Sequence, residues 1–351
     1  WPEEYVLMSD PAASRRLWKW KILKAVAHAR RHPYVFAIIG FASGLASFLL
    51  VDRQEKAAGL IAVLMLAGWV WLLLEEPIRR FVRLITGFSI PPTLIRFTTQ
   101  VVHQESFFFV LPFFAITTTW TSPQTLFTVM IGIAGLISII DPVYHGRLAK
   151  HRWIYLAYHC LALSVVLLTA LPIIVHLTTW ETYAITTALT VVLALPSIIQ
   201  IVPLGGAVKG AGMVGIVLLL GVLAWVARPA VPPATLWLTD STITHVVDKN
   251  DLAAGRSLRD PSAEAVLERG LYAYTAIRAP RGLHETVYHE WIHEGHAYDR
   301  IPLEVTGGRK AGYRAWTHKM VFPPHPEGEW RVRVTTESGQ MLGEIRFRIS
   351  E

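Results

Sequence analysis

W-I-Y-L-A-Y-H-C-L-A-L-S-V-V-L-L-T-A-L-P-I-I-V-H, residues Trp153–His176, contains no Asp, Glu, Lys or Arg. About 20 consecutive apolar residues suffice to carry a helix across the hydrocarbon core of a bilayer. There the backbone amides have no water to bond, so the segment must coil and satisfy them internally. Outward from this stretch, six more apolar runs fit the same description: Tyr34–Val51, Ala57–Leu74, Gln100–Trp120, Thr125–Ile140, Thr182–Leu204 and Ala211–Ala227. The fourth is short and the third begins with polar residues. The expected fold is therefore an α-helical polytopic membrane bundle of about seven spans over residues 34–227.

Composition agrees. Only 17% of the 351 residues are charged and 52% are hydrophobic, against about 25% charged in soluble domains. The net charge of +7 lies wholly before Arg228, where 17 Lys and Arg stand against 10 Asp and Glu. After that point the two signs balance. A basic chain suggests nucleic acid as a partner, but the placement of these cations has another explanation. Fifteen fall in the leader and in the joints after the second, fourth and sixth spans, and only Arg53 and Lys56 fall in the opposite joints. The positive-inside rule then predicts a cytoplasmic N-terminus and an outer, periplasmic C-terminal domain. The partners expected are the lipid bilayer and a membrane or periplasmic protein, or a second copy of the chain, with no nucleic acid.

Residues 1–33 read as a cytoplasmic basic leader. In it Leu17–Arg31 mixes Trp18, Trp20, Ile22, Leu23 and Val26 with lysines and arginines, as a helix lying on the inner leaflet does. Pro77–Phe88 has the same character. The chain begins at Trp1 and no signal-peptide pattern precedes the first apolar run, which is expected to serve as an uncleaved anchor. Cys160 is the only cysteine, so the outer domain must rely on its own core.

Residues 228–234, R-P-A-V-P-P-A, read as a stiff linker. Beyond it the hydrophobic period becomes two. Trp330, Val332 and Val334 alternate with Arg331 and Arg333, and Ile345, Phe347 and Ile349 alternate with Arg346 and Arg348, around a turn at Glu337-Ser338-Gly339-Gln340. This predicts a hairpin with one apolar and one basic face. Further strands are expected over Gly270–Ile277, Glu285–His293, Tyr298–Val305 and Tyr313–Phe322. Residues 235–351 thus read as an all-β, immunoglobulin-like sandwich, with Trp291, Trp316 and Trp330 in its core.

The segments V-Y-H-E-W-I-H-E-G-H (287–296), I-P-L-E-V (301–305), Y-R-A-W-T-H-K (313–319) and G-E-W-R-V-R-V-T-T-E-S-G-Q-M-L-G-E-I-R-F (328–347) resemble an uncharacterised family, domain of unknown function 2914, over roughly Tyr272 to Ile349. The preceding part resembles the membrane region catalogued as domain of unknown function 5924. The resemblance implies a bacterial inner-membrane protein. It assigns no activity, cofactor or catalytic residue.

Several residue sets could carry chemistry. His289-Glu290-Trp291-Ile292-His293 matches H-E-x-x-H, which binds zinc when a helix brings both histidines onto one face. Here the flanks Thr286, Val287 and Tyr288 favour a strand. With a rise of about 3.3 Å per residue the two rings would stand about 13 Å apart, with Trp291 between them. A looser metal site would combine His293 and His296 with His284 or His318. Within the apolar region, ionisable residues are candidates for function: His103 and Glu105 early in the third span, Asp141 at the end of the fourth, and His145 and Arg152 beyond it. They are expected to form one polar cluster near the cytoplasmic side, with His159 and Gln200 as further polar positions. No cofactor is expected. The function expected first is a non-enzymatic scaffold or accessory subunit that presents the sandwich for recognition. The alternatives are a channel or transporter working through the polar cluster, and a metalloenzyme at His289, Glu290 and His293.

Overall fold

The structure, a computed structural model, describes residues 17, 20–21, 23–25, 27–28, 31–50, 55–87, 90–201 and 206–351. The leader therefore falls largely outside the described residues, as do Arg53 and residues 202–205. The leader residues that are described up to His28 are helical.

Among the described residues seven long helices follow one another: α1 (Pro33–Leu50), α2 (Glu55–Thr86), α3 (Pro92–Thr117), α4 (Gln124–Ile139), α5 (Arg152–Val175), α6 (Thr179–Ile201) and α7 (Gly206–Ala227). Each overlaps one of the apolar runs. Three of them, α5, α6 and the α7 region, are long and apolar enough to cross a membrane. A fourth candidate is α4 taken together with residues Asp141–Lys150, to which it is joined by a bend of 100° at Ile140. The apolar parts of α1 and α2, Tyr34–Leu50 and Lys56–Leu72, are shorter.

The segment 77–88 is not a separate helix. α2 runs without interruption through it to Thr86. The break comes later, at Gly87 with its positive φ of 63° and at the Pro91–Pro92 pair, because proline disfavours helix at the residue before it and is pre-set for the first helical turn after it. Pro112, Pro172 and Pro196 all lie inside helices.

Helix α1 crosses α3 closely through Gly40 and Gly44, one turn apart on one face. A Cβ on Gly44 would sit 1.9 Å from the Phe109 carbonyl oxygen. Only a hydrogen atom fits there, as in close helix crossings built on small residues. Phe107, Phe109, Phe113 and Phe114 on α3 and Val165, Val166 and Ala170 on α5 are fully buried in the common core.

The C-terminal region is an antiparallel β domain of two main sheets. One has the order β1-β4-β7, with β1 at Trp237–Thr244, β4 at Leu271–Arg278 and β7 at Tyr313–Lys319. The other has the order β6-β5-β8-β9, with β5 at His284–His293, β6 at His296–Thr306, β8 at Gly328–Thr336 and β9 at Met341–Ile349. The short pair β2 (Val247–Asp248) and β3 (Ala253–Ala254) and a helix α8 (Ala263–Arg269) complete it. The two sheets share a core in which Ile243 and Leu271 meet Trp291, Trp330, Val332 and Phe347. Trp316 does not join that core. It is half-buried, opposite Tyr274 in the β4–β7 register. The physical reason is the two-residue period: Ala315 and Thr317 point inward, so Trp316 between them faces out.

The expected basic face of the β8–β9 hairpin also carries acid. Glu344 accepts from Arg346 at 2.7 Å and lies 3.8–3.9 Å from Arg333 and Arg331. Glu290 on β5 lies 3.2 Å from Arg300. Arginine rows on one strand are thus answered by glutamates on the next.

The segment after α7 is not a free spacer. Arg228–Ala230 form a single 3-10 turn, and Val231 and Ala234 are buried in the helical core. Apolar residues among those prolines pack instead of extending into water.

Candidate functional site

The polar residues of the helical region converge, though not in the set expected. His103, fully buried on α3, shares a hydrogen bond with Tyr144 Oη through Nδ1 at 2.7 Å and one with His159 Nδ1 through Nε2 at 2.9 Å. Tyr144 Oη lies 3.4 Å from Tyr155 Oη. Beside this chain, Gln100 donates through Nε2 to Asp141 Oδ1 at 2.6 Å and to the Ser138 carbonyl at 3.1 Å, while its Oε1 pairs with His145 Nε2 at 2.9 Å. Tyr158 Oη donates to the Ala134 carbonyl at 2.7 Å.

The bend at Ile140 creates this site. It swings Asp141, Tyr144 and His145 back under the end of α4, where Gln100 and His103, one turn apart on α3, can reach them. Tyr155, Tyr158 and His159 meet it from one face of α5, as spacings of three and four residues require.

Two expected members stand elsewhere. Glu105 is two residues from His103, about 200° around a helix of 3.6 residues per turn. It therefore faces α1, where its Oε2 would lie 2.8 Å from a Cβ on Gly40. Arg152 is exposed at the first turn of α5. Gln100, Tyr144, Tyr155 and Tyr158 were missed. The readable signal was helical spacing: 100 and 103 on one helix, 155, 158 and 159 on another.

Neutral imidazole carries one N–H and one acceptor nitrogen. The line Tyr155–Tyr144–His103–His159 is therefore satisfied with its donors running in either direction, by exchanging tautomers. It is also closed over. The Trp69 ring packs 4.9 Å from His159, and Tyr158 lies 5.3 Å from His103. Deeper along α3 the neighbours are Phe107, Phe109 and Phe113, all buried. The described hydrogen bonds occupy one end of the helical region and do not continue to the other.

In the β domain the H-E-x-x-H residues lie on β5. His289 points inward and is fully buried. Its Nε2 is 3.1 Å from Thr275 Oγ1 and its Nδ1 is 3.0 Å from Thr317 Oγ1, so both ring nitrogens are occupied. Burial holds its pKa down at about 3, so the ring is neutral. Glu290 faces the other side, toward Arg300. Trp291 fills the space between the histidines and donates to Thr317 Oγ1 at 3.3 Å. His293 stacks on Trp330 at 4.4 Å and bonds the Glu327 carbonyl at 2.9 Å. His284 lies at the far end of β5, and His318 stacks on Tyr272 at 3.8 Å on the other sheet. Among the described residues no three His, Cys, Asp or Glu side chains gather for a metal.

A third polar site joins the two halves of the chain. Glu285 on β5 is 2% exposed. It accepts from the Thr179 backbone N–H at 2.7 Å and from the Thr179 hydroxyl at 2.9 Å, at the start of α6. Burial pushes its carboxyl up to about 7 against these bonds, helped by Glu337 and Glu181 nearby. Gln124 Nε2 donates to the Met341 carbonyl at 2.9 Å, Arg228 Nε to the Ser338 carbonyl at 2.9 Å, and Gln340 Nε2 to the Val231 carbonyl at 2.9 Å. The Phe48 and Trp237 rings meet at 4.6 Å. The β domain is thus seated on the ends of α1, α4, α6 and α7.

These features define a helical protein with membrane-span-like helices, carrying a C-terminal β domain seated on the helix ends. The chain belongs to a family of unknown function, DUF5924, whose model matches residues 15–273. Residues 284–349 match a second family, described as protein of unknown function DUF2914. No curated protein matches the chain. The two matched regions meet inside one fold, because β1 and the start of β4 come from the first and β7 from the second, yet the three form one sheet.

Proposed function

We propose that the chain is a seven-span inner-membrane protein that acts without catalysis, as a scaffold or accessory subunit. Its N-terminus lies in the cytoplasm, and an immunoglobulin-like sandwich is presented in the periplasm. One observation carries this reading. The helix ends that bear the β domain, those of Phe48, Gln124, Thr179 and Arg228, all belong to the side that lysine and arginine placement puts away from the cytoplasm. Two independent signals, charge along the chain and contact in space, select the same side.

The β domain supports a recognition role through its free surface. The edge strand β6 leaves His296, Ala297, Tyr298, Arg300 and Pro302 wholly or half exposed, and edge strands accept further strands from partners. Rigid seating at four places holds that edge at a constant height and angle above the bundle. The His103–His159 line ends against buried phenylalanines, which supports a packing role over conduction.

The test combines topology with capture. Single cysteines at His296 and Glu329, introduced in a Cys160→Ser background, should react with a membrane-impermeant maleimide in intact cells. The tagged chain, drawn from native membranes in mild detergent, should bring down a stoichiometric companion or a second copy of itself. Labelling only after cell lysis refutes the orientation. A chain that elutes alone as a monomer refutes the scaffold.

A further inference from the structure

A cavity of about 580 Å³ lies between α4, α5, α6 and α7, within the range of sites that hold small molecules. It runs from Trp153 and Leu156, at the start of α5, to Ala227 and Val231, after α7. Its walls are mostly apolar, with Ser164, Tyr183, Thr186, Thr187 and Thr190 among them. Ser164 and Thr190 bond one another at 3.0 Å. Thr186 does not follow. Its side-chain oxygen is buried and has no partner, although the residue is only 3% exposed. A helical threonine ordinarily bonds the carbonyl one turn back, so an idle hydroxyl here costs stability until something accepts from it.

We infer that this groove holds one acyl chain of a phospholipid, whose ester carbonyl accepts from the Thr186 hydroxyl. The inference rests on the spanning of α5, α6 and α7 proposed above. If these helices cross a bilayer, the groove opens sideways into hydrocarbon, and a lipid chain fills it without carrying water in. The depth fits. Thr186 lies seven residues into α6, about 10 Å below its start at 1.5 Å per residue, and a headgroup layer is roughly 5–7 Å thick. The hydroxyl thus stands just beneath the headgroups, where ester groups lie. The charge fits too. Arg228 sits at the same end, its guanidinium over Trp225 at 4.3 Å. It gives Nε to the Ser338 carbonyl and Nη1 to the Trp225 carbonyl, and guanidinium has five N–H donors, so others are left for a phosphate.

The test uses the full chain in bilayer nanodiscs of phosphatidylglycerol doped with a phospholipid that carries a diazirine on one acyl chain. After illumination, adducts should concentrate on groove residues of α5 and α6, Leu156, Cys160, Thr190 and Ala194, over the lipid-facing control positions Leu64 and Leu136. Thr186→Val keeps the shape and removes one hydrogen bond, and should cut groove adducts about threefold to tenfold. Ala157→Trp, at the exposed mouth of the groove, should block them and leave the controls unchanged. Groove labelling no denser than at Leu64 means ordinary boundary lipid and overturns the proposal. So does displacement of the phospholipid by an isoprenoid quinone added in equal amount. Absence of adducts at the controls as well would instead sink the spanning reading.

Discussion

Glu285→Gln should make the β domain acid-labile. Two buried groups on β5 titrate with opposite sign over the same pH range. His289 has an ordinary pKa of 6.5 and stands at about 3 in the fold. Between these values the unfolded chain holds a proton that the folded chain refuses, so stability is lost as pH falls below 6.5. Glu285 has an ordinary value of 4.5 and stands at about 7 in the fold. Between these values the folded chain holds a proton that the unfolded chain has released. Its contribution is complete below 4.5 and disappears as pH rises through 7. From pH 6.5 down to 4.5 the two terms cancel, each changing by about 1.4 kcal/mol per pH unit. Removing the carboxylate exposes the histidine term alone. Opening of the β domain should become about 3 kcal/mol easier at pH 4.5 than at 6.5, roughly a hundredfold, whereas the parent stays nearly level. His289→Gln should show the mirror image. Hydrogen exchange of β5 and β8 peptides in the full chain, corrected for intrinsic rates, reads this opening directly. Comparing variant with parent removes the contributions of groups that do not touch Glu285. If the opening free energy of Glu285→Gln follows that of the parent within about 0.5 kcal/mol across the range, the opposed-titration account is wrong.

Other outcomes follow from the same geometry. Trp291→Ala should cost the β domain about 3–5 kcal/mol, seen as a lost cooperative transition in chemical denaturation, and a variant that keeps its midpoint would contradict the two-sheet core. Gly44→Ala should force α1 away from α3, with cysteine pairs across that crossing no longer crosslinking at parental yield. His159→Phe removes one partner of the buried His103 and should lower the stability of the helical region by about 1–3 kcal/mol; an unchanged thermal midpoint in detergent would mean the contact contributes nothing. Thr179→Val deletes one of the two bonds to Glu285 and should raise exchange at the start of α6 without touching β8 and β9.

The helices were legible in the sequence because their cause is local. Each apolar run must satisfy its own amides, so its position follows from composition, and seven long helices overlap the seven runs. The period-two pattern placed β4 to β9 for a similar reason, since neighbouring side chains on a strand meet opposite surroundings. What failed depended on partners distant in the chain. Glu105 and His103 look like one cluster in a string of letters, but two residues on a helix point apart, and only the packing of α1 and α5 against α3 separates their surroundings. Trp316 reads as core by its size, and only the register of β7 turns it outward. The proline-rich segment reads as a spacer, yet Val231 and Ala234 are buried because the β domain has come down onto the helix ends. Glu285 shares the inward face of β5 with Val287 and Trp291 by the two-residue period, but nothing local names its partner. Its burial, its raised pKa and its hold on Thr179 arise where two parts of the chain 106 residues apart meet. Local hydrogen bonding and hydrophobic period are written along the chain; which polar groups lose their water is settled only when the elements close on one another.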